Sequence, residues 1–179
     1  QLVTNNFIDV ELPFIEGLSY RLNTGFRFKF TDDATYFGRN TQTGLEDRGN
    51  ANTNRSKFTN TVVENIMNYN RDFGRHGIFV TALYSFEEYE NTSNSLRATG
   101  FPHDILEWYS ARQAELLLPS YGYSKTDLIS QMLRINYTFD DRYLLTITGR
   151  RDGYSGFGSK KKWGQFPSFA VGWNIANEQ

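Results

Sequence analysis

Between Leu18 and Phe30 the chain alternates at a period of two: every even position except Thr24 is apolar, and every odd position is polar or glycine. Successive side chains of a strand point to opposite faces, so this segment has one apolar and one charged face. On a helix Phe26, Phe28 and Phe30 would scatter around the cylinder. The pattern demands a sheet.

The same period recurs along the chain. Ile78, Val80, Ala82, Tyr84 and Phe86 alternate with more polar neighbours, and so do Ile129, Leu133, Ile135, Tyr137 and Phe139. Tyr143, Leu145 and Ile147 repeat it, followed by Phe169, Val171, Trp173 and Ile175. With two weaker runs, the reading is seven antiparallel strands at 6–12, 18–30, 58–70, 77–90, 127–139, 142–152 and 163–176, paired in sequence order. Segments 13–17, 71–77 and 140–142 are short turns, whereas 31–57, 91–126 and 152–162 are long. Short and long alternate, so the long loops all leave from one end of the sheet. That asymmetry characterises outer-membrane barrels, with short periplasmic turns and long extracellular loops. Strands of this length suit a tilted membrane crossing better than the ~5–6 residues of ordinary globular strands.

Composition permits this fold. Mean hydropathy is -0.57, and no apolar run approaches the ~18 residues of a membrane helix, a test that alternating barrel strands escape. A net charge of -1 and a pI near 6.2 give no electrostatic case for nucleic acid. Cysteine is absent, which removes disulfides, Cys-ligated zinc and thiol catalysis. The first residues show no signal peptide, and the chain stops just after a strand-like segment, so it is expected to be a piece of a longer protein.

Two faces follow. Arg21, Arg27, Lys29, Arg134 and Arg150 are expected to face the lumen, because a charge on the lipid side at mid-bilayer costs about 2–4 kcal/mol. Trp163 and Trp173 lie on one side of the last strand, roughly 23 Å apart along the membrane normal, and are assigned to the interfacial girdle.

Catalytic chemistry is sparse. His76, in a short turn, and His103 are far apart in sequence and suggest no metal pair or triad. Asp32-Asp33 and Asp140-Asp141 fit turns at strand ends, and Glu87-Glu88-Tyr89-Glu90 fits a solvated strand exit. Gly153-Tyr154-Ser155-Gly156-Phe157-Gly158, followed by Lys160-Lys161-Lys162, lacks the Gly-Lys-Ser/Thr ending and following helix of a phosphate loop. No enzyme, metal or cofactor is expected. The long loop 91–126 carries a helix-compatible stripe of Ile105, Tyr109, Arg112 and Leu116 between Pro102 and Pro119, which predicts a helix at 103–117. Its bulky residues Phe101, Trp108, Tyr109, Tyr121 and Tyr123 are candidates for contact with a partner or substrate.

The stretch from Asp141-Arg142-Tyr143-Leu144-Leu145-Thr146 through Gly149-Arg150-Arg151-Asp152-Gly153 resembles the barrel of the SusC/RagA-type TonB-dependent transporters of Bacteroidota. Its continuation, Trp163-Gly164-Gln165-Phe166-Pro167-Ser168 through Gly172-Trp173, resembles the same barrel, and Asn68 to His76 is similar to that family's short-turn motif. Tyr154 and Gly156 depart from it, standing where the family has Ser and Arg. The resemblance implies that the whole chain is part of a single outer-membrane barrel domain whose plug and remaining strands lie outside it. It further implies import of glycans or oligopeptides, a SusD-like surface lipoprotein as lid, and coupling to the TonB complex through the plug. The alternative is a soluble β-sandwich carbohydrate-binding module, which would bury the apolar strand face against a second sheet. A hydrolase on a β-scaffold is a third possibility, disfavoured by the scattered histidines and carboxylates.

Overall fold

The computed structural model describes residues 1–158 and 161–177; Lys160, in the basic loop tip, lies outside them. Seven strands are present: β1 (Leu2–Glu11), β2 (Leu18–Phe37), β3 (Asn50–Phe73), β4 (His76–Thr99), β5 (Leu116–Phe139), β6 (Tyr143–Tyr154) and β7 (Trp163–Trp173). They form one antiparallel sheet in sequence order. Short and long connections alternate as expected, but the long ones shrink to 38–49, 100–115 and 155–162.

The missing loop length has become strand. β2 has 20 residues, and β3, β4 and β5 have 24 each, all well beyond the expected spans. The added segments, such as Asn50 to Lys57 and Asn91 to Thr99, are rich in Ser, Thr and Asn. With both faces polar they carry no alternation to betray them, yet they extend a ladder whose pairing is already set. Tyr121 and Tyr123 are therefore strand residues. β7, conversely, stops at Trp173, and Ile175 falls in a 3-10 turn, Ile175–Asn177. His76 opens β4 instead of sitting in the turn, and Asp32 and Asp33 lie within β2.

The helix expected at 103–117 is a 3-10 helix of seven residues, Glu107–Gln113. Pro102 stands too far upstream to be its first residue. Leu106 provides no side-chain cap, Glu107 is left-handed at φ 46°, and Leu116-Leu117-Leu118 belong to β5. Tyr109 and Arg112 of the stripe lie in this short helix, whereas Leu116 already pairs in the ladder of β5.

The chain divides into two compact units. Unit 1 comprises Gln1–Leu2, Arg27–Thr59 and Glu90–Lys125; unit 2 comprises Val3–Phe26, Asn60–Tyr89 and Thr126–Gln179.

Unit 1 holds a small core. Phe101 is 2% exposed and packs with Ala51 and Ala98, while Tyr36, Trp108, Ala111 and Ala114 close around it. Tyr36 and Phe101 meet edge to face at 5.1 Å between ring centroids. Gly100 admits the chain to this site: its φ is +78°, and a Cβ there would meet Glu115 Cβ at 2.8 Å.

In unit 2 the register fixes two faces. Across β5, β6 and β7 the rows Ile135–Ile147–Phe169, Tyr137–Leu145–Val171 and Phe139–Tyr143–Trp173 alternate with Arg134–Thr148–Ser168 and Asn136–Thr146–Ala170. Ile147, Phe169, Val171 and Trp173 are all exposed, Val171 by 71%. Among the described residues there is one sheet, and the buried hydrophobic set is Ala51, Ala98 and Phe101. A sandwich needs a second layer over that apolar face. This fold has none.

Candidate functional site

The polar face of unit 2 is a hydrogen-bonded surface. Arg21 Nε donates to Asp9 Oδ2 at 3.0 Å, Asn23 Nδ2 to Glu64 Oε2 at 3.1 Å, and Asn60 Nδ2 to Glu87 Oε1 at 3.0 Å. The Thr81 hydroxyl donates to Asn68 Oδ1 at 2.9 Å, and the Thr146 hydroxyl to Asn136 Oδ1 at 2.8 Å. Arg134 Nε reaches the Thr148 hydroxyl at 3.2 Å. Arg150 spans Asp152 (2.9 Å) and the Ser130 hydroxyl (3.2 Å). Each strand donates every second residue to this face, and each pair occupies donors and acceptors that would otherwise need water. Arg21, Arg134 and Arg150 thus stand among carboxylates, amides and hydroxyls.

On the other face, Trp163 lies over Gly153, its register partner. A Cβ at Gly153 would meet the Trp163 ring at 2.8 Å, so glycine is what allows the indole to lie flat. The Arg151 guanidinium sits over the same ring, 4.1 Å from its centroid. Trp173 is the partner of Tyr143, which stacks on Phe139 at 6.4 Å. At the turn end, Arg75 ties two turns together: its Nε donates to Asp140 Oδ1 at 2.8 Å, and it covers the Phe139 ring at 5.0 Å. His76 Nδ1 lies 2.6 Å from the Tyr137 hydroxyl. The acidic turn residues thus serve turn geometry: Asp140 and Asp141 are both left-handed, at φ 55° and 52°.

Unit 1 joins its two loops with a clasp. The Tyr36 hydroxyl donates to Asp104 Oδ1 at 2.7 Å, and the Arg39 backbone N–H donates to the same oxygen at 3.2 Å. Arg39 Nη1 donates to the Pro102 carbonyl at 2.8 Å, Arg48 pairs with Glu115, and Arg97 reaches Asp47 at 3.0 Å. Burial and the bond to Asp104 push the Tyr36 hydroxyl up to about 12. The bond from Tyr36 holds the Asp104 carboxyl below its ordinary range. These partners are about 65 residues apart in sequence, so no local pattern could have paired them.

The clasp sorts the five aromatic candidates. Phe101 is core, Trp108 packs against it, and Tyr109 is 80% exposed beside Trp108. Tyr121 and Tyr123 are exposed on one face of β5, and Tyr121 shares a groove with Phe30, Arg55 and Lys57. The structure does not gather the five into one site. Arg27 and Lys29 occupy odd positions of β2, whose neighbours Asp33 and Thr35 line a second groove.

The comparisons agree on one architecture. TonB-dependent receptor P3 of Formosa agariphila is 31% identical over 92% of this chain, and the chain spans 17% of that receptor's length. TonB-dependent receptor SusC of Bacteroides thetaiotaomicron is 46% identical over 31% of the chain, or 6% of its own length. No protein-family model matches. Among solved structures, a chain of the RagAB peptide transporter superposes with a TM-score of 0.87 at 22% identity, over 98% of this chain and 20% of that one. The seven strands are a segment of such a β-barrel.

Proposed function

Since this chain belongs to the SusC/RagA type of TonB-dependent receptors as an internal barrel segment, we propose that it forms part of the outer-membrane wall through which the full protein imports a nutrient. The matched relatives are receptors and transporters, not enzymes. One observation carries the reading: a fully developed apolar strand face stands exposed, backed by a face of paired polar groups. Lipid is the solvent that suits the first and water the second. On this reading Arg21, Arg27, Lys29, Arg134 and Arg150 face the lumen, and Trp163 and Trp173 lie in the interfacial girdles. Arg151, on the apolar side, reaches the headgroup level while covering Trp163.

The long connections are then extracellular, and the clasped loop 100–115 is the place for a SusD-like lid to rest. Its exposed side carries Ile105, Leu106 and Tyr109, at 83%, 52% and 80% exposure, on a base held by Phe101. Coupling to TonB runs through the plug of the full protein, and the cargo is a glycan or oligopeptide.

Cysteine labelling tests the faces, helped by the absence of native cysteine from this segment. In the full-length transporter in intact outer membranes, Ala170→Cys should react with a hydrophilic maleimide and its neighbour Val171→Cys should not. The reverse pattern overturns the reading. Energy-dependent uptake that is lost on deleting TonB tests the transport itself.

A further inference from the structure

On unit 1 a shallow groove of about 350 Å³ lies on the face of β2 that carries Phe28 and Phe30. Phe30 walls it from β2, Arg55 and Lys57 from β3, Thr92 and Asn94 from β4, and Tyr121 from β5. Between these alternating residues Ser56, Ser93 and Gly122 form its floor. No carboxylate is among the residues that line it. Asp32, on the same face of β2, accepts the Arg55 Nε–H at 3.1 Å, which orients the guanidinium and leaves its outer N–H groups to donate. Among the described residues the Lys57 side chain makes no hydrogen bond or ion pair within the protein. Arg55 and Lys57 stand on the same side of one strand, about 7 Å apart along it, close enough to converge on one anion.

The place of the groove selects its anion. The even positions of β2 are aromatic at Phe28 and Phe30 and turn acidic at Asp32, so the groove begins where the apolar face ends. In a barrel wall that boundary is the level at which hydrocarbon gives way to headgroups. It lies toward the long connections, and hence toward the outer leaflet. There Phe30 stays in lipid while the long basic side chains reach up into water. Tyr121, 76% exposed, offers an apolar ring with a polar end at the same level. Ammonium, guanidinium, hydroxyl and amide groups together donate more than they accept, which suits phosphate. A free anion would gain nothing from the aromatic walls. A lipid carrying phosphate uses both.

We propose that this groove binds the phosphorylated headgroup of an outer-leaflet lipid, with Arg55 and Lys57 on the phosphate and Phe30 and Tyr121 beside the rest of the molecule. The proposal rests on the reading that the apolar strand face looks to lipid, and adds one specific lipid contact to it. Its test uses the purified full-length transporter in detergent micelles, with fluorescent monophosphoryl lipid A and its dephosphorylated counterpart as probes. The phosphorylated probe should bind about tenfold more tightly or better, and R55Q/K57Q should erase that preference. Lys57→Gln alone breaks no contact within the protein and should reduce the preference about threefold. Lys29→Gln, on the opposite face of β2, should leave both affinities unchanged. Inorganic phosphate at the probe's own concentration should not displace the lipid. Equal binding of the two probes, a preference unaltered in Lys57→Gln or in R55Q/K57Q, its loss in Lys29→Gln, or displacement by inorganic phosphate overturns the proposal. Maleimide labelling of Ala170→Cys and Val171→Cys stands apart from these outcomes: if it holds while the lipid result fails, only this site is lost.

Discussion

Tyr36 and Asp104 show how much one side-chain pair can organise. Removing the hydroxyl in Tyr36→Phe leaves the Asp104 carboxylate with the Arg39 N–H alone. Amide exchange in 38–49 and 100–115 should accelerate in this variant while unit 2 stays unchanged. The pH dependence has two limbs. Asp104 is shifted down, so its contribution is present above the ordinary carboxylate pKa and fades as pH falls through the lowered value. Tyr36 is shifted up, so its contribution holds below 10.0 and is lost as pH rises toward about 12. Loop protection should therefore be flat through neutrality and decline at both ends, and Tyr36→Phe should abolish the alkaline limb. A second residue-scale expectation concerns Gly153. Gly153→Val should lift the Trp163 indole from its seat and break the Arg151 stack, read as a red-shifted or quenched Trp163 emission with the strands intact.

At the scale of elements, sequence periodicity located all seven strands but not their lengths. Alternation is visible only where one face is apolar and the other polar, as in Ile78 to Phe86. Above that level both faces are polar, and Asn50 to Lys57 read as loop although pairing continues through it. The helix fell short for the converse reason: Leu116 completed an apparent stripe with Ile105, Tyr109 and Arg112, but it is the first residue of a strand. Which residues share a face with Arg134 and Arg150, and which with Trp163 and Trp173, could be read because face follows from parity. The clasp could not, because Arg39, Arg48 and Asp104 meet only once the sheet has folded. The loop's anchor also has a measurable weight. Phe101→Ala empties the centre of the small core, and Phe→Ala changes in cores cost about 3–5 kcal/mol. It should release loop 100–115 to proteolysis and weaken lid docking, whereas Tyr109→Ala should weaken docking without loosening the loop.

For the whole molecule the deciding quantity is the contrast between faces. Val171→Arg sets a charge on the apolar side and is expected to cost about 2–4 kcal/mol near mid-bilayer. Ala170→Arg, one residue away, should be tolerated. Levels of heat-modifiable barrel in isolated outer membranes measure both, and equal loss in the two variants would remove the two-faced account.

The strict every-second-residue division of the faces also limits how such a chain can drift in length. Deleting one residue inside β6 or β7 would exchange Leu145 and Val171 with Thr146 and Ala170 along everything beyond the cut, turning grease to water and arginine to lipid. Two residues lost together would restore the order. Descendants of this sequence should therefore lengthen or shorten their strands by even steps, or absorb an odd one in a bulge, while the connections at 38–49, 100–115 and 155–162 vary by any number. Parity, more than residue identity, is what inheritance must conserve here.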